Sequence, residues 1–318
     1  MVNLVEAQKP LLHFLLKLAG LRPTTVEIDP GTVMSFWVPK TNQYINENKK
    51  PKKKKKKKKK DKPSVVLVHG FAAEGIVTWQ FQLGALTNKY DVYVPDLLYF
   101  GGSKSSGSER SPEFQAQCLA SALARLGVAR CAVVGFSYGG MVAFKLAETW
   151  PELVSHLVVS GSVIAMTDSI SDTTLQRLGF ASSAELLLPD SVKGLKALLT
   201  VATYKKLWFP DCLHRDYLQV MFGNRKERAE LLEGLVMSNK DAVVPVLQQK
   251  IMLLWGENDN IFNIELAKNM KEQLGEKATL QSISKAGHLV HLERPCAYNR
   301  HLKEFLSQIV IDDPINNK

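Results

Sequence analysis

Cys131-Ala132-Val133-Val134-Gly135-Phe136-Ser137-Tyr138-Gly139-Gly140 is the stretch on which the fold turns. Residues 131–134 form a short apolar run of strand character, and 139–149 has the apolar spacing of a helix. Ser137 therefore sits where a strand must turn sharply into a helix, the context that makes Gly-x-Ser-x-Gly informative. Such an apex forces strained backbone angles, and glycines two residues to either side remove Cβ clashes. Gly140 lets the helix approach the strand. The Ser137 hydroxyl is then presented at the C-terminal edge of a sheet, beside a helix N-terminus that favours developing negative charge.

The same rhythm extends in both directions. Strands are expected at 64–68, 90–94, 131–134, 157–159, 251–254 and 278–283, and helices at 73–89, 112–127, 139–149, 263–274 and 297–310. The helix at 112–127 places Phe114, Cys118, Leu119, Ala122, Leu123 and Leu126 on one face. Nearly continuous apolar strands separated by amphipathic helices mean an α/β class with a mostly parallel sheet of about eight strands, covered on both faces. Ahead of it, 24–28 and 32–38 flank the turn signal Asp29-Pro30-Gly31 and read as an antiparallel hairpin. The rhythm breaks over 166–245, which reads as a helical insertion over the sheet. The expected organisation is an N-terminal amphipathic helix over 1–23, a first core part over 24–165, the helical lid over 166–245, a second core part over 246–311 and a tail over 312–318.

A serine hydroxyl is a weak nucleophile near neutral pH and needs a neighbouring base. Gly287-His288-Leu289-Val290-His291 offers two. His288 directly follows an expected strand and is the choice; His291 reads as a helix-start or surface histidine. The base needs a carboxylate to hold its tautomer. Asp259, in Trp255-Gly256-Glu257-Asn258-Asp259, follows an apolar strand and reaches the same sheet edge. Glu257 and Asp168 are its rivals. The order Ser137, Asp259, His288 is that of one hydrolase architecture. Two backbone donors should meet the oxyanion: the N–H of Tyr138, and that of Phe71 in the loop His69-Gly70-Phe71 after strand 64–68. His69 itself reads as a structural turn residue.

Together these residues resemble the α/β-hydrolase superfamily, in particular the lid-bearing serine esterase and lipase branch with monoacylglycerol lipase-like and carbon–carbon hydrolase-like members. The resemblance covers about residues 60–310. It rests on His69-Gly70-Phe71, on Asp96-Leu97 with Gly101 and Ser103, on the Ser137 turn, and on the segment 255–259 with Gly287-His288 and Glu293-Arg294-Pro295. It implies the α/β-hydrolase fold with a lid where the rhythm breaks. It departs from the family at Tyr99, where relatives usually carry glycine. A serine nucleophile sets the chain apart from dehalogenase and epoxide-hydrolase relatives, which use aspartate there.

The chain has 318 residues and a formal charge of +10. Residues 49–62 hold twelve lysines and Asp61; without them Lys+Arg falls from 41 to 29 and Asp+Glu from 31 to 30, leaving −1. A folded nucleic-acid binder spreads its cations over a face, so no specific nucleic acid is expected. The tract is expected to be a disordered surface loop, a passive insertion or a peripheral contact with an anionic membrane. Hydrophobic content of 45% excludes wholesale disorder. The apolar run 11–21 is too short to span a bilayer and is broken by His13 and Lys17. It reads as a helix packed on the body or lying at a membrane interface, and no signal-cleavage site follows it cleanly. Cys118, Cys131, Cys212 and Cys296 form no Cys-x-x-Cys pair and read as buried, reduced thiols of a cytoplasmic protein.

The expected reaction is hydrolysis of a small-molecule carboxylic ester through an acyl-enzyme on Ser137, with no cofactor and no metal. Leu186-Leu187-Leu188, Trp208-Phe209, Met221-Phe222 and Met237 are the lid residues considered for an acyl pocket. A carbon–carbon bond hydrolase, a small-molecule receptor with little turnover, and a polyanion-binding module are the alternatives.

Overall fold

The computed structural model describes residues 3–42 and 62–310. The strands are β1 Leu21–Asp29, β2 Thr32–Pro39, β3 Ser64–Val68, β4 Asp91–Pro95, β5 Lys104–Ser105, β6 Cys131–Phe136, β7 Val154–Ser160, β8 Met166–Thr167, β9 Val236–Met237, β10 Lys250–Gly256 and β11 Ala278–Ile283. One sheet runs β1-β2-β4-β3-β6-β7-β10-β11, with β5 beside β2. β1 and β2 form the expected antiparallel hairpin, and β2 also meets β4 antiparallel. From β4 to β11 every pairing is parallel.

Parallel order explains the composition of the central strands. All six residues of β6 are buried, as are the last four of β3, because helices cover both faces. On one face, Leu119 and Leu123 of the helix Pro112–Arg125 pack with Phe144 of Tyr138–Thr149. On the other, Leu83 and Leu86 of Gln80–Leu86 pack with Tyr298, Leu302 and Leu306 of Pro295–Ser307. The chain moves from β3 to β4 on one side and later returns to β6 on the other. This reversal opens a crevice beyond the C-terminal strand ends, where open α/β sheets place their ligands.

Several expectations need correcting. The N-terminal helix is Leu4–Leu18, so residues 21–23 belong to β1 rather than to a helix over 1–23. The helix expected over 73–89 is broken at Trp79 into Gly75–Thr78 and Gln80–Leu86. Residues 166–245 hold five helices, Asp168–Leu178, Ser183–Leu187, Val192–Ala202, Asp211–Met221 and Arg225–Glu233, and also a strand pair, β8 parallel to β9. Cys118 and Cys131 are buried, but Cys212 is half-buried and Cys296 exposed; all four are free. The disordered loop expected over 49–62 lies outside the described residues except for Lys62, whose Nζ donates to Thr87 O at 2.7 Å. The tail 312–318 also lies outside them. Among the described residues no helix is long and apolar enough to cross a membrane.

Candidate active site

The turn after β6 takes the strained form its glycines imply. Ser137 has φ 53° and ψ −123°, a positive φ that a side chain rarely adopts. Its N–H donates to Ser160 O at 2.9 Å, and its carbonyl accepts from Ser162 Oγ at 2.7 Å. A Cβ at Gly135 would stand 2.6 Å from Gly139 O and 2.7 Å from Gly140 Cα. Only glycine permits that approach of strand and helix. Ser137 is half-buried and faces the cavity that His288 also lines.

His288 follows β11, and Asp259 follows the adjacent β10. His288 Nδ1 lies 2.9 Å from Asp259 Oδ2. A carboxylate accepts, so the proton of this bond belongs on Nδ1 and the lone pair of Nε2 stays free. The other oxygen, Asp259 Oδ1, accepts from Ile261 N at 2.8 Å and Phe262 N at 2.9 Å. These two amides fix the carboxyl plane. The imidazole packs against the rings of Phe136 at 4.9 Å and Phe262 at 5.9 Å. Both His288 and Asp259 are buried. The rivals lie elsewhere: Glu257 is exposed and accepts from Ser282 Oγ at 2.9 Å, and Asp168 is exposed on the lid.

Phe71 and Tyr138 come together beside Ser137, their rings 5.9 Å apart and edge-on. Neither backbone N–H donates to another group among the described residues. β3 and β6 are adjacent, with Val68 opposite Gly135, so the two loops start at the same level. His69 holds its loop in place. Leu97 N donates to His69 Nε2 at 2.9 Å, and Nδ1 donates to Gly70 O at 2.7 Å. Burial pushes the imidazole down to about 4, so it is neutral in this role.

Two further residues act on the site without a local signature. Gly161, after β7, has φ +52°, and a Cβ there would meet His288 Cε1 and Nδ1 at 2.8 Å. Glu293 accepts from Gly287 N at 2.7 Å through Oε2 and from Tyr204 N and Lys205 N at 2.9 and 3.2 Å through Oε1. It ties the His288 loop to the lid. Glu293 belongs to a recognisable motif, but two of its three partners, Tyr204 and Lys205, are distant in sequence. His291 is not a surface histidine. It is fully buried, packs on Phe136 at 4.3 Å, and is pushed down to about 3 by burial and by nearby His288.

The cavity has two apolar lobes meeting at Phe71, Ser137 and Ile261. One, of about 90 Å³, runs toward Val77, Leu195, Leu198, Leu199, Tyr217 and Leu292. The other, of about 40 Å³, runs toward Met141, Leu175, Leu186, Leu187, Leu232 and Leu235. Of the lid residues considered from sequence, Leu186 and Leu187 line these lobes. Leu188, Met221 and Phe222 are buried elsewhere, Met237 is half-buried away from the lobes, and Trp208 and Phe209 are exposed. No Lys, Arg, Asp or Glu is among the residues lining either lobe. A wider, shallow depression near Ala120 and Trp150 lies at the opposite end of β6 from Ser137.

Comparison with known proteins agrees with this fold. The model of the "Alpha/beta hydrolase family" matches residues 65–301. Epoxide hydrolase 3 of Xenopus tropicalis is 25% identical over 266 residues, covering 77% of this chain and 72% of its own. A 2-hydroxy-6-oxononadienedioate/2-hydroxy-6-oxononatrienedioate hydrolase of a Pseudomonas species is 25% identical over 255 residues, covering 77% and 88%. The crystal structure of a putative lipase from Acinetobacter baumannii AYE superposes with a TM-score of 0.78 at 20% identity, covering 96% of this chain and 97% of that one.

Proposed function

Because the chain belongs to the alpha/beta hydrolase family, we propose that it is a serine hydrolase of uncharged carboxylic esters. The observation that carries the reading is the meeting of Ser137 and the Asp259-held His288 at the junction of two apolar lobes. An ester has two arms, acyl and alcohol, on either side of the carbonyl that a nucleophile attacks.

In this reading Ser137 Oγ attacks the carbonyl carbon as His288 Nε2 takes its proton. The oxyanion receives the N–H groups of Phe71 and Tyr138, each worth roughly 3 kcal/mol to the transition state. His288 returns the proton to the leaving alcohol, and Asp259 stabilises the imidazolium meanwhile. Water enters and gives a proton to His288 as its oxygen attacks the acyl carbon; the acyl–Oγ bond then breaks, Ser137 Oγ takes the proton back from His288, and the acid is released. The relatives are named for other bonds as well, and two features favour the ester. A serine at the turn suits acyl transfer, whereas epoxide-hydrolase relatives carry out their attack with aspartate. The dioate named in the Pseudomonas relative carries two carboxylates, and the lobes offer no cation to meet one.

The test is labelling with a fluorophosphonate probe, with Ser137→Ala as control, followed by turnover of p-nitrophenyl esters from short to long chain. Labelling lost in Ser137→Ala, together with ester turnover, is expected. Absence of labelling in the wild type overturns the reading. Labelling without ester turnover, but with cleavage of a dienedioate, replaces it with carbon–carbon hydrolysis.

A further inference from the structure

The helix Leu4–Leu18 has two apolar faces, and the fold uses one. Leu16 is buried, Leu12 packs on the core, the His13 ring lies 5.0 Å from that of Trp37, and Lys9 Nζ reaches Glu74 Oε2 at 3.3 Å. The other face presents Leu4, Leu11, Phe14, Leu15 and Leu18, each between 48 and 69% exposed. At helical spacing these five fall on one stripe about 100° wide. Single exposed leucines need no explanation, but a contiguous stripe of large apolar side chains marks a contact surface. The helix has 15 residues, a length of about 22 Å, so it can lie along a bilayer and cannot cross one.

The charge around this helix names the occupant. Lys17 is exposed in its last turn, and Lys40 Nζ bonds Lys17 O. Ala19, Gly20, Lys40, Thr41 and Lys62 line one depression at the end of the helix. Thr41 and Lys62, close to either end of the connection 43–61 in sequence, both lie there. That connection carries eleven lysines against Glu47 and Asp61. A second copy of a chain at +10 would bring like charges together. An anionic headgroup layer satisfies both features, with apolar side chains entering the acyl boundary and lysines drawn to the surface potential.

We propose that the Leu4–Leu18 stripe docks on an anionic lipid surface, with Lys17 and Lys40 at the end of the helix supplying the attraction. The helix is also pinned to the lid. Leu4 N donates to Asp216 Oδ2 at 2.7 Å, and Asn3 Nδ2 donates to Asp216 O at 3.3 Å and Gln219 Oε1 at 3.1 Å. The same lid helix carries Tyr217, a cavity residue, and follows Lys205-Lys206-Leu207-Trp208-Phe209, an exposed segment whose Trp208 is 84% exposed. Docking thus brings the lid and its cavity to a lipid surface. This deepens the ester-hydrolase reading by assigning where an apolar ester is met, and it rests on that reading only for the identity of the substrate.

The test uses the full chain carrying Ser137→Ala, so that vesicle lipid is not consumed. The protein is sedimented with vesicles of phosphatidylcholine alone and of phosphatidylcholine with phosphatidylserine. The expected result is co-sedimentation with the mixed vesicles, weakening as salt rises. Combining Leu11→Ser, Phe14→Ser, Leu15→Ser and Leu18→Ser should lower partitioning by about 100-fold or more, with the thermal midpoint retained. Replacing Lys17 and Lys40 by glutamine should weaken the preference for phosphatidylserine. Binding that survives the four serine substitutions overturns the proposal, as does a lack of binding to either vesicle. A concentration-dependent dimer lost with the same substitutions also overturns it, since the stripe would then be a self-association face. Loss of binding in Ser137→Ala protein speaks only to the docking surface. Failed p-nitrophenyl ester turnover in protein with Ser137 intact speaks only to the proposed reaction.

Discussion

Gly161 and His288 touch so closely that a methyl group on the glycine would occupy space the imidazole already holds. A Cβ at 161 would lie 2.8 Å from both Cε1 and Nδ1, and 3.3 Å from Asp259 Oδ2. The ring cannot retreat without leaving Asp259. Gly161→Ala is therefore expected to lower kcat by about 100-fold through displacement of the base. It should also cost about 1–2 kcal/mol of stability, because φ there is +52°. Steady-state kinetics beside a denaturation curve check both, and an unchanged kcat would remove the steric role given to this glycine.

Asp259→Asn tests the tautomer. The side-chain oxygen can keep the two amides of Ile261 and Phe262, which leaves the NH₂ group facing His288 Nδ1. A donor at that place moves the imidazole proton to Nε2, where the lone pair is needed. Ester turnover at neutral pH should fall by about 10⁴-fold, with fluorophosphonate labelling slowed in parallel. A fall of only a few-fold would point to another acid.

Glu293→Gln should loosen the lid from the base. Its two carboxylate oxygens serve three amides on two segments. An amide side chain keeps one accepting oxygen and sets a donor against the other group. The loss is expected to be roughly 2 kcal/mol of stability, with kcat falling and KM rising together as the loop of His288 and the lid shift apart. Equal kinetic constants in wild type and variant would show that the tie is not used.

Tyr99 stands where relatives usually carry glycine, and it adopts φ 72°. Its ring is buried beneath the Arg110 guanidinium at 4.4 Å, and its carbonyl accepts from Asn224 Nδ2 at 3.0 Å and Arg228 Nε at 3.1 Å on the lid. Tyr99→Gly relieves about 1–2 kcal/mol of backbone strain but removes a buried aromatic worth about 3–5 kcal/mol. The packing loss is larger, so the variant should be less stable by about 2 kcal/mol, read from urea midpoints.

Acid should destabilise the fold in a definite window. His69 and His291 are held down to about 4 and about 3 by burial, whereas unfolded they return to 6.5. The unfolded chain takes up protons that the fold refuses, so stability falls as pH drops from 6.5 toward 4. Asp96 acts in the opposite sense. Burial raises it to about 7 from 3.8, so it is protonated in the fold and releases its proton on unfolding over the same window. For these three groups the net uptake on unfolding is about one proton, and about two in Asp96→Asn. Stability measured across this interval should therefore slope more steeply with pH in Asp96→Asn than in the wild type.

What the sequence made legible was local. The Ser137 turn, the residue after each C-terminal strand end and the central strand order of apolar runs all follow from neighbours within a few positions. Ser137, Asp259 and His288 were readable because each stands directly beyond a strand, and parallel strands deliver such residues to one edge. Gly161 and Glu293 were not readable as site residues. The need for a missing Cβ at 161 arises from His288, and two of the three partners of Glu293, Tyr204 and Lys205, lie 89 and 88 residues away. The burial of His291 against Trp79 was no more readable. The two rings lie 5.2 Å apart, and the packing that joins them is tertiary. Lid lining was the least legible part. Leu186 and Leu187 face the lobes while neighbouring Leu188 does not, a distinction that depends on how short helices are tilted.

The parallel pairing of Met166–Thr167 with Val236–Met237 has an architectural consequence. The chain departs from the core and comes back at a single doorway, so the sheet has no stake in how much sequence lies between. Everything that shapes the two lobes from above is carried on a cassette with a common seam. A segment from another member of the family, cut at the same two dipeptides, should bring its own chain-length preference, and its fit to Glu293, to the Tyr99 carbonyl and to Leu4 decides how well His288 keeps its place.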